Sequence, residues 1–128
     1  MSRRWSADEF ARLLAGGQVR VLGDTTATPP ALSEEAWQLA IMRLLHQHGY
    51  AYCYHTWNSR RSPSGFPDLI AVHHLAGRKL LAIELKTDVG QVTPAQQAWL
   101  EALAGCTGVV AEVWRPAQLS AIVERLRR

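Results

Sequence analysis

Two apolar runs constrain this chain more than any other feature: Pro67-Asp68-Leu69-Ile70-Ala71-Val72-His73 and Lys79-Leu80-Leu81-Ala82-Ile83-Glu84-Leu85-Lys86. Each has the length of a strand, and only a turn around Ala76-Gly77-Arg78 separates them, so they pair as an antiparallel hairpin. The aromatic, alternating segment Tyr50–Trp57 precedes them and reads as a third strand. Thr93-Pro94 opens a helix to about Ala104, with Thr as cap and Pro at the first position. Val109–Trp114 follows as a fourth strand. Ser33 caps an earlier helix, Glu34 to about His48, whose apolar positions Trp37, Ile41, Leu44 and Leu45 fall at helical spacing; Gly49 stops it. Pro116–Arg127 closes the chain as a helix. One hairpin combined with one β-α-β crossover predicts a four-stranded mixed sheet flanked by helices, in the α/β class.

At 128 residues the chain is long enough for one core and short for two. Residues 33–128 carry the α-β-β-β-α-β order and form the domain proper. Residues 1–32 read as an appendage: an extra N-terminal helix over 6–15, with a Ser6/Glu9 capping box and a Gly16-Gly17 stop, then a connecting arm through Pro29-Pro30. No apolar run approaches the roughly 20 residues that span a bilayer, and no apolar stretch follows the basic start as in a secretory signal. The expectation is a cytoplasmic protein, in a bacterial or phage-infected host cell, with no membrane partner. Cys53 and Cys106 lack metal-ligand spacing and read as buried, reduced thiols. The net charge of +3 permits a nucleic-acid partner without demonstrating one.

The chemistry concentrates at one end of the predicted hairpin. Asp68 heads one strand directly after Gly65-Phe66-Pro67. Glu84 and Lys86 are separated by one residue on the next strand, so both point to the same face while Ile83 and Leu85 point into apolar packing. Paired strands bring Asp68 to the same edge as Glu84, which gives two carboxylates and an ammonium in one patch. A solvated interstrand salt bridge is the plain reading of Glu-x-Lys alone. Pro-Asp after a Gly-containing loop favours the other reading, a site for a hard divalent cation and phosphodiester chemistry. A lysine beside such a cation orients water and offsets charge developing on phosphorus.

Four separated segments, in order, carry a family resemblance: Ser33-Glu34; His55-Thr56 through Ser62-Pro63-Ser64-Gly65-Phe66-Pro67-Asp68-Leu69-Ile70; Ala82-Ile83-Glu84-Leu85-Lys86-Thr87; and Thr93-Pro94-Ala95-Gln96. Together they resemble the VRR-NUC (virus-type replication-repair nuclease) branch of the PD-(D/E)xK superfamily over about residues 33 to 115. The resemblance implies a restriction-endonuclease-like core, with Mg²⁺ as cofactor (Mn²⁺ substituting) and DNA as substrate. It implies Asp68 and Glu84 as metal ligands, Lys86 as the catalytic lysine, Glu34 as a further acidic ligand and Gln96 as the polar site residue of the next helix. Glu35, adjacent to Glu34 and turned about 100° around the helix, competes for that acidic role; Gln38, one turn on, favours Glu34. Capping of the helix N-terminus is the alternative for both.

Arg60 and Arg61, with Ser64, form either a phosphate-contacting loop beside Asp68 or an ordinary solvated one. His46/His48 and His73/His74 lack the partners a zinc site needs. The tryptophans read mostly as core, with Trp57 placed to stack on a base. The leading functional expectation is an endonuclease selective for branched DNA, such as a Holliday junction or flap, acting as a homodimer because a four-way junction has two-fold character. A sequence-specific restriction-like nuclease and a non-catalytic DNA-binding module are the alternatives; the presence of Asp68, Glu84 and Lys86 together argues against the last.

Overall fold

The computed structural model describes residues 32–56 and 63–127. The expected helix over 6–15, the connecting arm, Trp57, Arg60 and Arg61 lie outside the described residues. Helix α1 spans Glu34–Gln47. Its start is capped as expected, with Ser33 Oγ accepting from the Ala36 amide at 3.1 Å. Its end is a Schellman turn: Gly49, at φ 92°, donates to the His46 carbonyl and Tyr50 donates to that of Leu45. That turn takes Tyr50 out of the following strand, which is therefore shorter than the aromatic alternation implies.

The strands are β1 (Tyr52–His55), β2 (Leu69–Val72), β3 (Leu80–Leu85) and β4 (Val109–Trp114). They lie in the order β1-β2-β3-β4, with the first two pairings antiparallel and β3–β4 parallel. Helix α2 (Pro94–Ala104) provides the crossover, as the sequence order required. Past β4, the chain makes a short 3-10 turn at Pro116–Gln118 and then helix α3, Leu119–Leu126. The sequence reads these as one helix. The first turn is tightened instead because the Gln118 amide donates to the Arg115 carbonyl, while the Ala117 amide is taken by the Asp88 carboxylate at 2.9 Å.

One face of the sheet carries the core. Trp37, Ile41, Leu44 and Leu45 of α1 and Leu119, Ile122, Val123 and Leu126 of α3 pack on Leu69, Ala71, Leu81, Ile83 and Leu85. The four residues singled out on α1 are at most 1% exposed. Trp37 also donates its indole N–H to the Trp114 carbonyl at 3.0 Å, which ties α1 to the end of β4. The even-numbered residues of β3 point the other way, under α2. Cys53 sits half-buried against the core, whereas Cys106 is exposed in the turn after α2, contrary to the reading of two buried thiols. His73 and His74 hold the β2–β3 connection to the end of α1, through the carbonyls of His48 and Gly49 at 3.0 and 2.9 Å. Among the described residues no helix is long and apolar enough to cross a membrane.

Candidate active site

Leu69 pairs with Ile83 in the β2–β3 register, so Asp68 comes directly opposite Glu84. On its other side the Thr56 amide donates to the Asp68 carbonyl at 2.8 Å, and the Thr56 hydroxyl donates to the carbonyl of buried Pro67 at 2.8 Å. These bonds hold the Pro67-Asp68 dipeptide in line with the sheet, and Oδ2 of Asp68 accepts from the Leu85 amide at 2.8 Å. The Asp68 main chain is thus held from the β1 side and its carboxylate from β3.

Glu84 is 2% exposed and is the one charged residue type in the buried set of described residues. Its Oε1 accepts from Gln96 Nε2 at 3.0 Å and lies 3.8 Å from Lys86 Nζ. Its Oε2 is buried with no hydrogen-bond partner among the described residues. Burial first, and the adjacent Asp68 carboxyl next, push the Glu84 carboxyl up to about 8, with Lys86 opposing. A buried carboxylate oxygen without a partner is costly unless a proton or a cation satisfies it. Two adjoining carboxyls, with no thiol or imidazole among the described residues grouped with them, form a hard oxygen donor set that fits Mg²⁺ or Mn²⁺ better than zinc.

Helix α2 positions the third part. Thr93 and Gln96 form a capping box: the Gln96 amide donates to Thr93 Oγ1 at 3.2 Å, and Gln96 Oε1 accepts from the Thr93 amide at 2.9 Å. Because Oε1 is committed to that backbone N–H, the Nε2 end must face Glu84, which settles the orientation of the amide chemically. Gly65, at φ 95°, packs on this first turn; a Cβ there would meet the Ala95 carbonyl carbon at 2.5 Å and the Gln96 nitrogen at 2.8 Å. Phe66 crosses Trp99 of α2 edge-on, with centroids 5.1 Å apart. The loop before Asp68 and the helix facing Glu84 are therefore locked together.

Lys86 is 13% exposed at its side chain. Its amide donates to Trp114, and the segment after it is pinned by Arg115, whose Nη1 donates to the carbonyls of Thr87 and Gly90 at 2.7 and 2.6 Å. Thr56 and Arg115 are supporting residues to which the sequence reading gives no role. Thr56 follows directly from the β1–β2 register, but Arg115 acts across a 3-10 turn that no periodicity reveals.

The structure brings Asp68, Glu84, Lys86 and Gln96 together. It does not gather Glu34 with them: both Glu34 and Glu35 are exposed in the first turn of α1, and among the described residues no three His, Cys, Asp or Glu side chains converge as a metal cluster. Ser64 is exposed in the turn before Gly65.

A sheet of this topology, with facing Asp and Glu-x-Lys at the strand ends, has the architecture of a PD-(D/E)xK nuclease core. The VRR-NUC domain family model matches residues 26–118, and the chain belongs to that family, which places it among nucleases of this type. A solved structure described as a VRR_NUC domain protein shares the fold, with a TM-score of 0.53 at 24% identity over 76% of this chain and 87% of that one. No curated protein matches the chain.

Proposed function

We propose that this chain is a Mg²⁺-dependent endonuclease that hydrolyses DNA phosphodiester bonds, selecting branched structures such as junctions or flaps. The observation that carries this reading is the unpartnered, buried Oε2 of Glu84 opposite Asp68. Asp68 and Glu84 would hold the cation directly. A divalent cation held there supplies Lewis-acid polarisation of a phosphate oxygen and lowers the pKa of an attacking water. Lys86 places a positive charge beside Glu84 Oε1, where it stabilises negative charge developing on the phosphate and orients the incoming water. Gln96 is a positioning residue: its hydrogen bond fixes the Glu84 rotamer. Arg60, Arg61 and Ser64, around the loop that leads into Asp68, would contact the flanking phosphates. The compact domain offers little surface for reading sequence, so shape and backbone contacts supply selectivity, with a homodimer presenting two sites.

The test is cleavage of labelled junction, flap and linear DNA with Mg²⁺ or Mn²⁺. Cutting of branched DNA that chelator abolishes supports the reading. Cutting of linear DNA at one fixed sequence replaces it with a restriction-like specificity.

A further inference from the structure

Among the described residues, the face of the sheet that carries the site is only half covered. Helix α2 lies over β3 and β4, while on the same face of β1 and β2 the described residues leave large side chains exposed. A half-buried antiparallel strand normally turns polar residues outward. Here the outward residues of β1 are Tyr52 and Tyr54, 69% and 59% exposed, with Val72 of β2 beside them at 40%. Their register neighbours establish the face: Tyr54 pairs with Ile70 and Tyr52 with Val72, and Ile70 is two residues from Asp68 on β2. Cys53, between the tyrosines, packs against the core on the opposite side. At about 3.3 Å per residue, Tyr54 is about 7 Å and Tyr52 about 13 Å along β1 from the row formed by Thr56, Asp68 and Glu84.

Beyond the β1–β2 ladder, neither tyrosine side chain makes a hydrogen bond or ring contact with a described residue. Neither β1 nor β2 contains an acidic residue, so neither strand itself repels a polyanion. A phosphodiester seated at Asp68 and Glu84 would have α2 on one side, and the exposed half of the sheet offers its neighbouring nucleotides a surface on the other. A second copy of the chain is the poorer occupant. Two partly exposed tyrosines and a valine, at roughly 150–250 Å² for a fully buried aromatic, fall well short of the ~800 Å² per partner that a stable dimer buries.

We infer that Tyr54 and Tyr52 form a stacking platform for unpaired bases of the substrate strand next to the scissile phosphate. This deepens the proposed nuclease reading and rests on it for the placement of the phosphate. Stacking on a tyrosine face is tolerant of base identity but needs bases freed from the duplex. The platform therefore selects flaps and single-stranded arms over fully paired DNA.

The experiment measures binding of two labelled probes by fluorescence anisotropy, with Ca²⁺ in place of Mg²⁺: a duplex with a single-stranded flap, and the same duplex without it. The parent chain is expected to prefer the flap. The Tyr52→Ala/Tyr54→Ala variant should lose that preference, weakening flap binding about tenfold or more, while Tyr52→Phe/Tyr54→Phe keeps it. Flap binding unchanged in the alanine variant overturns the platform, as does an equal loss on both probes. A parent dimer that the alanine variant dissociates assigns the face to a second copy and overturns it too. Mg²⁺-dependent cleavage by the parent, measured in parallel, separates the two failures. Cutting without tyrosine-dependent flap binding removes the platform alone; tyrosine-dependent binding without cutting removes the nuclease reading and leaves the platform as a binding surface.

Discussion

The two faces of β3 differ in how completely their groups are satisfied. On one, Leu81, Ile83 and Leu85 are closed in by α1 and α3, and the polar atom in that layer, the Trp37 indole N–H, has its partner. On the other, one residue away along the same strand, Glu84 is equally buried yet keeps an unpartnered oxygen and a carboxyl pushed up to about 8. Residues that alternate along a single strand thus serve stability and chemistry separately. Packing on the core face holds the backbone rigid, and the site face holds the unsatisfied group that a cation would complete.

Breaking the core face should have the largest effect. Trp37→Ala removes a fully buried indole and its hydrogen bond to the Trp114 carbonyl, and is expected to cost about 3–5 kcal/mol, read by chemical denaturation. A loss under 1 kcal/mol would show that α1 is not a principal support. Gly65→Ala attacks the join between the loop and α2. It forces an L residue into positive φ against the backbone of Ala95 and Gln96, with an expected loss of about 1–3 kcal/mol. Because Gln96 must shift, cleavage should fall by more than the lost stability explains. Unchanged activity in a destabilised Gly65→Ala variant would remove Gln96 from the site.

The site face can be sharpened through pH. Glu84 is raised from the ordinary 4.5 to about 8, so between these values the folded protein holds a proton that the unfolded chain has released. Its contribution to the stability of the metal-free protein is complete below about 4.5 and is lost as pH rises through about 8. Glu84→Gln should remove that part of the slope and be more stable than the parent at pH above 8, while cleavage is lost. Denaturation curves with chelator across this range provide the check; the same slope in both proteins would mean Glu84 is not the titrating group. The smallest effect is expected for Arg115→Gln, which frees the Thr87–Gly90 segment behind Lys86. Cleavage should drop several-fold in kcat with KM little changed, and Arg115→Lys should restore part of it; a change confined to KM would place Arg115 at the substrate.

Much of this arrangement was legible because it depends on short-range rules. The alternation of β3 put Glu84 and Lys86 on one face, the hairpin spacing put Asp68 across from them, and Ser33 and Thr93 announced the two helix starts that the structure shows. Gln96 was found through the family resemblance, and its contact with Glu84 is set by the capping box at the start of α2. What escaped depends on distant pieces meeting. Gly65 reads as a loop glycine until the backbone of α2 is seen against it. Arg115 reads as a polar residue after a strand until its guanidinium reaches back to two carbonyls. The exposed tyrosines of β1 were read as ordinary strand aromatics, since alternation gives two faces but not which half of a face a helix will cover. Glu34 shows the opposite limit: its helix position was right, but its side chain is exposed and apart from the other acids.

The most direct measurement is cleavage of labelled flap and four-way junction DNA with Mg²⁺ by the parent chain and by Lys86→Ala. Metal-dependent cutting by the parent, reduced at least a hundredfold in a Lys86→Ala variant that melts like the parent, is the predicted result. Equal cutting by both proteins, or cutting that survives chelator, would contradict a site built from Asp68, Glu84 and Lys86.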